Sequence, residues 1–141
     1  PVTLLLMDLD YFKSINDTHG HPAGDAVIRG FARMARDQMR TVDTVGRVGG
    51  EEFAALLPET GTADAVTVAE RLRRAVADTP GFGEAVVPVT VSIGVATLAP
   101  ATSDSPGETL ELLMIRADKA LYRAKATGRN RTVEAEAAEA A

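Results

Sequence analysis

Two glycines, two adjacent acids and an aromatic, Gly49-Gly50-Glu51-Glu52-Phe53, form the stretch of this chain best suited to chemistry. The glycine pair permits a tight hairpin turn, and the apolar run at residues 53–57 reads as the strand that leaves it. A turn of this kind exposes backbone N–H groups and leaves an acid free to face a cation, which suits a metal-bound phosphate. A second acid, Asp8, closes an apolar run at residues 2–7. With the hairpin paired beside that run, Asp8 and Glu51 converge on one cation. Mg²⁺ takes one or two carboxylates and leaves its other positions to water and substrate phosphate. Asp10 offers either a further metal oxygen or the N-cap of the following helical turn. A plain acidic hairpin with a solvated tip also accounts for the pentapeptide.

The residues around these acids extend the same chemistry. The turn at residues 9–13 presents backbone N–H groups at a helix start, where a phosphate is favoured. Asn16 and Asp25 follow it. A carboxylate accepts two parallel N–H bonds from the Watson–Crick edge of guanine, whereas adenine presents an acceptor in one of those places. The pair therefore predicts a guanine nucleotide, although Asn16 as the end of one turn and Asp25 as the cap of the next helix explain the same residues locally. Lys119, Arg123, Lys125 and Arg129 cluster near the end of the last helix, where cations are favoured by the helix dipole alone. Neither His19 nor His21 has partners spaced for metal ligation.

These residues need a scaffold. Residues 2–7 suit a strand buried on both faces. A short helical turn at 11–16 closes at Gly20, and a longer helix runs from Pro22 to about Met39. Strands at 44–48 and 53–57 flank the glycine turn. A second long helix starts at Thr62-Ala63-Asp64 and stops at Pro80-Gly81. Residues 86–98, broken by Pro88, contain an alternating strand, and a helix from about Thr109 to Ala126 trails it. The order β-α-β-β-α-β plus a helix predicts an α+β fold, ferredoxin-like or palm-type, with an antiparallel central sheet and helices packed on one face. At 141 residues and 45% hydrophobic content the chain suits one core. The domain is expected at 1–133, with the Ala/Glu stretch 134–141 as a frayed or disordered tail. A net charge of −5 argues against bulk binding of nucleic acid or an anionic membrane, and no apolar run approaches bilayer-spanning length. With no cysteine, disulfides and thiolate metal sites are excluded, and the chain suits a reducing cytoplasm. Pro1 directly precedes a strand, so the chain is expected to be a fragment of something longer, compatible with a membrane-anchored whole protein.

Phe12-Lys13, Ile15-Asn16-Asp17-Thr18, Gly20-His21, Gly24-Asp25, the segment from Arg47 to Phe53, Val91-Ser92-Ile93-Gly94-Val95, and Ala117-Asp118, Tyr122, Ala124-Lys125 and Gly128-Arg129-Asn130 together resemble the GGDEF family of diguanylate cyclases, in its Gly-Gly-Glu-Glu-Phe form. The match keeps order and spacing from Val2 to about Val133. The resemblance implies a fold similar to class III nucleotidyl cyclases and polymerase palms, and a bacterial second-messenger enzyme that condenses two GTP into cyclic di-GMP with release of two pyrophosphates. It implies Asp8, Glu51 and Glu52 as catalytic residues. Asp8, Glu51 and the backbone carbonyl of Leu9 would hold Mg²⁺, two ions per pair of half-sites, with Mn²⁺ as a substitute. Asn16 and Asp25 would read guanine, Phe12 and Lys13 would lie over the phosphates, and Lys125 and Arg129 would bind the terminal phosphates.

Further implications concern assembly and control. Each domain would bind one GTP, so the catalyst would be a homodimer brought together by an N-terminal sensory or dimerisation segment. Arg40-Thr41-Val42-Asp43 resembles the family's RxxD site for product inhibition, with Arg71 as the secondary arginine. The family's D-x-LT-x-L-x-N-R entry motif, which precedes the first strand, is absent here. A non-catalytic GTP or cyclic di-GMP receptor is the alternative function, and a purely structural dimerisation module a weaker one that leaves the acids unexplained.

Overall fold

In the computed structural model, residues 1–138 are described. The first strand, β1 (Val2–Leu9), is apolar at nearly every position because protein covers both of its faces. Leu5, Met7 and Leu9 point to one side. There they pack on α2 (His21–Asp37) through Val27, Phe31 and Ala35, and on α3 (Thr62–Asp78) through Ala69, Leu72 and Val76. Leu4 and Leu6 point to the other side, against Leu113, Ala117 and Leu121 of α4 (Leu110–Ala126). Helices therefore cover both faces of the sheet, which corrects the expectation of one covered face. The physical reason lies in β1 itself: a strand without a polar stripe must be buried twice.

Beside β1 run β3 (Glu52–Pro58) and β4 (Val91–Thr97), both antiparallel to it, and β2 (Thr44–Gly49) forms the exposed edge. The sheet order is β2-β3-β1-β4-β5. The last member, β5 (Thr132–Glu134), pairs parallel to β4 and has no counterpart in the sequence reading, since three residues carry no measurable periodicity. It corrects the start of the expected tail. Glu134 belongs to the strand, and Ala135 donates its N–H to the Val95 carbonyl at 2.7 Å. Residues 136–138 carry no regular secondary structure, and 139–141, the rest of the expected tail, lie outside the described residues. The fourth strand also starts later than expected, at Val91. Pro88 cannot donate to a ladder, and Val86 and Val87 instead form a small turn with a bridge to Phe82. The short helix α1 (Phe12–His19) follows β1.

The loop before α4 is fastened by a buried ion pair. Glu108, with 3% of its side chain exposed, accepts from Arg116 Nε at 2.6 Å and Nη2 at 2.8 Å, and from the Ala99 N–H at 3.2 Å. Arg116 holds the Glu108 carboxyl below its ordinary value of 4.5. A depressed carboxylate contributes stability above its unfolded pKa and loses it as pH falls through the folded value. Glu108→Gln is therefore expected to cost about 2 kcal/mol near neutral pH. The gap between the two proteins closes below pH 4.5, as read from urea denaturation over a pH series; a gap constant with pH would refute the ion-pair account.

Candidate active site

The antiparallel register sets Asp8 opposite Glu52 on β3 and opposite Ser92 on β4. Residues directly opposite in a ladder share a face, here the face covered by α4. Asp8 is buried at 6% exposure, and from the last turn of α4 Lys125 brings its Nζ to 2.5 Å from Asp8 Oδ2. Burial pushes the Asp8 carboxyl up; Lys125 pulls it down, while Glu51 and Asp10 raise it further. Glu52 is likewise pushed up, by burial first and by Asp8 next. The hairpin turn lies against the end of β1, where Leu9 donates its N–H to the Glu51 carbonyl at 3.3 Å. Beside Glu52 opens a groove of about 410 Å³ lined by Leu6, Val48, Met114, Asp118 and Lys119.

This concentration of carboxylates at the end of one strand fits a cation, and the ammonium of Lys125 lies where its charge is needed. Among the described residues no three Asp, Glu, His or Cys side chains close on one point. Asp8 and Glu51 bring carboxylate oxygens to this strand end, and hard oxygens of that kind suit Mg²⁺ completed by water and phosphate rather than a caged ion.

Asp10 caps no helix, which corrects one of its two expected roles. The N-cap of α1 is Tyr11, at φ 55°, without a side-chain capping bond. Asp10 is buried at 4% exposure and accepts from Ser92 Oγ (2.7 Å), Thr90 Oγ1 (2.7 Å) and the Asn130 N–H (3.0 Å). Over the Tyr11 ring, 4.5 Å from its centre, lies the guanidinium of Arg129. The first turn of α1 has no acidic residue, and Lys13 is exposed on it.

Asn16 and Asp25 are not the helix ends that a local reading allows. α2 begins at His21 with Gly20 as its N-cap, so Asp25 lies a full turn inside it, exposed. The Asn16 side chain turns inward across α2. Gly24 is what admits it: a Cβ there would lie 1.8 Å from Asn16 Oδ1 and 3.1 Å from Phe12 Cζ. Asn16 Oδ1 is buried without a hydrogen-bond partner among the described residues. An unpartnered acceptor of this kind is costly in a folded protein.

Arg40 and Asp43 form a closed unit between α2 and β2. Asp43, at 4% exposure, accepts from the Arg40 N–H at 2.8 Å and from Arg40 Nη2 at 2.9 Å. The same guanidinium donates to the Pro58 carbonyl and Thr60 Oγ1, while Arg36 donates to the carbonyls of Asp43 and Arg40. Arg71 reaches from α3 to the side chain and carbonyl of Gln38. Three features escaped the sequence reading: the Lys125–Asp8 pair, the Tyr11 platform, and the anchoring of Asp10 by Thr90 and Ser92. The alternation of β4 held a signal for the last of these, since Ser92 is a small polar residue in the apolar run from Val91 to Ala96.

A five-stranded sheet with helices on both faces, its central strand ending in an acid beside an acidic hairpin turn, defines a palm-type domain. Residues 1–131 match the family described as diguanylate cyclase, GGDEF domain. The chain belongs to the GGDEF family. Its sequence is 46% identical over 136 residues to the response regulator PleD of Caulobacter vibrioides, covering 94% of this chain and 29% of that protein, so it spans less than a third of that relative. Its fold is similar to the active GGEEF domain of a diguanylate cyclase from Vibrio cholerae, with a TM-score of 0.85, 34% identity and coverage of 97% and 84% of the two chains. The GGDEF domain of DgcB from Caulobacter crescentus, solved in complex with c-di-GMP, is similar at a TM-score of 0.84 and 34% identity, covering 96% of this chain and 78% of that one. No helix among the described residues is long and apolar enough to cross a membrane.

Proposed function

We propose that this domain is one half of a diguanylate cyclase, condensing two GTP into cyclic di-GMP in a homodimer whose two sites face each other. The carrying observation is the acid rung: buried Asp8 opposite Glu52, with Glu51 at the adjoining turn and Lys125 as counter-charge. In each of two reciprocal steps a 3′-oxygen forms a bond to the α-phosphorus of the other GTP, the bond to the β-phosphate oxygen breaks, and pyrophosphate leaves with release of the hydroxyl proton. GGDEF cyclases are metal-dependent as a family, and Mg²⁺ held by Asp8, Glu51 and the Leu9 carbonyl would supply charge neutralisation at the transferred phosphoryl group.

The chain's own residues do the rest. Asn16 and Asp25 read guanine, with Asp25 accepting the paired donors of its Watson–Crick edge. The uncapped N–H groups of α1, with Phe12 and Lys13, cradle the phosphates, and Arg129 above Tyr11 receives the terminal ones. Lys125 leaves Asp8 for those phosphates as the site fills, trading one anion for another. Glu52 stands toward the groove, beside the ribose of the bound nucleotide. Arg40, Asp43 and Arg71 form the product-inhibition site, where Arg40 keeps half of its side chain exposed (53%) for stacking and forking onto product while Asp43 anchors it.

The test joins the domain to a dimeric coiled coil and follows GTP with Mg²⁺ by chromatography. Cyclic di-GMP and pyrophosphate in a one-to-two ratio are expected, with inhibition at high product that Arg40→Ala relieves. Tight cyclic di-GMP binding without turnover would replace the cyclase reading by the receptor reading, and an unchanged inhibition curve in Arg40→Ala would remove the inhibitory site.

A further inference from the structure

Asp10 sits two residues from Asp8, and three donors of the protein itself already hold its carboxylate. Its Oδ1 is taken by Ser92, and its Oδ2 by Thr90 and by the Asn130 N–H. All three donate to Asp10, and of them the Asn130 N–H can only donate; an amide in Asp10's place would meet that N–H with a neutral oxygen, a bond roughly half as strong as the charge-assisted one. The three donors come from the entry to β4, from β4 itself, and from the turn that follows α4. Asp10 thus ties the end of the central strand to the segment that carries Arg129.

That segment needs tying. Arg129 (φ 62°) and Asn130 (φ 45°) are consecutive non-glycine residues in the left-handed region, a conformation that persists only when its surroundings impose it. Asn130 is gripped from two sides: Asp10 holds its N–H, and Arg73 of α3 donates to its Oδ1 at 3.0 Å. Arg73 is itself held by the Glu70 carboxylate, which also accepts from Thr132 Oγ1 at 2.9 Å. The product of these ties is the placement of one guanidinium over Tyr11, the residue that opens α1.

We propose that Asp10 is a positioning residue for recognition of the nucleotide's terminal phosphates, acting through the Asn130 N–H to hold the Arg129 guanidinium over the start of α1. The inference rests on the reading of Arg129 as a phosphate contact. With Asp10 neutralised, the turn relaxes toward ordinary backbone angles and Arg129 moves off its ring. The base-reading residues Asn16 and Asp25 are untouched, so the loss falls on the phosphates and not on the guanine.

Equilibrium binding of GTP and of GMP, compared across native protein, Asp10→Asn, Arg129→Ala and the double variant, separates the possibilities. In the native protein GTP is expected to bind more tightly than GMP. Arg129→Ala lowers that preference about tenfold, the value of a charge-assisted contact to phosphate. Asp10→Asn lowers it by a similar factor with GMP affinity unchanged, and the double variant loses no more than either alone. An Asp10→Asn protein that weakens GTP and GMP alike, or neither, overturns the inference while leaving Arg129 as a phosphate contact. An unchanged preference in Arg129→Ala overturns the phosphate reading of that residue, and the inference with it. Should Asp10→Asn not fold, Arg73→Ala releases the other grip on Asn130: a severalfold fall in the preference for GTP is expected, and no fall overturns the proposal.

Discussion

Glu51→Gln is expected to lower the rate of pyrophosphate release in the dimerised domain by about 10²- to 10³-fold, the size of effect seen when one preorganised electrostatic group is removed from a transition state. The structure makes this a clean substitution. The Glu51 side chain takes part in no hydrogen bond or ion pair found among the described residues, and its structural contribution is a backbone carbonyl that accepts from Leu9, which glutamine retains. Stability is therefore expected to change by no more than about 0.5 kcal/mol. The neighbouring acids differ. Asp8 is buried and paired to Lys125, so its replacement leaves an unpartnered ammonium and mixes a stability effect into any rate. Stopped-time assays over a range of Mg²⁺, with circular dichroism as the fold control, decide the matter. Full activity in Glu51→Gln would remove this acid from the metal site.

The largest expected stability effect lies at Gly94, in the middle of β4. Here α4 crosses the sheet so closely that a Cβ would stand 2.3 Å from the Ala117 carbonyl oxygen and 2.6 Å from the Leu121 N–H nitrogen. Both are helix backbone atoms, which cannot swing aside as the tip of a side chain can. Gly94→Ala must push the whole helix away and open the seam formed by Leu4, Leu6, Leu113 and Leu121. A loss of about 3 kcal/mol or more is expected, at the upper end of overpacking effects. Because α4 also carries Lys125, the displaced helix should draw that ammonium away from Asp8, so binding of GTP weakens even where the variant remains folded. Urea denaturation measures the first effect; a loss below about 1 kcal/mol would mean that the helix is free to shift.

Much of the site was legible in the chain because its chemistry is written in local spacing. An acid at the end of an apolar run, a glycine turn bearing two more, and Asn16 and Asp25 behind them lead to the expectation of a nucleotide and a divalent cation without any knowledge of packing. Long elements with a full apolar face, α2, α3 and α4, were equally open to reading, since burial of such a face is what forms them. What local spacing could not supply was the pairing of distant charges. Lys125 and Asp8 stand 117 residues apart, and the dipole at a helix end explains the lysine sufficiently until α4 is seen to cross the sheet at Gly94. Asp10 likewise had a sound local role as a helix cap. It lost that role because three donors from two later segments offered a buried carboxylate more than one exposed capping bond does.

By itself, then, the sequence determined the element order as far as α4 and the placing of its acids, because each follows from residue type within a few positions along the chain. The tertiary structure alone decided that helices lie on both faces, that Lys125 stands as the counter-ion of Asp8, and that Arg129 is held in a left-handed turn over Tyr11. Those features depend on where separate elements cross, and crossings are set by the burial of two apolar faces of one central strand rather than by any short stretch of residues.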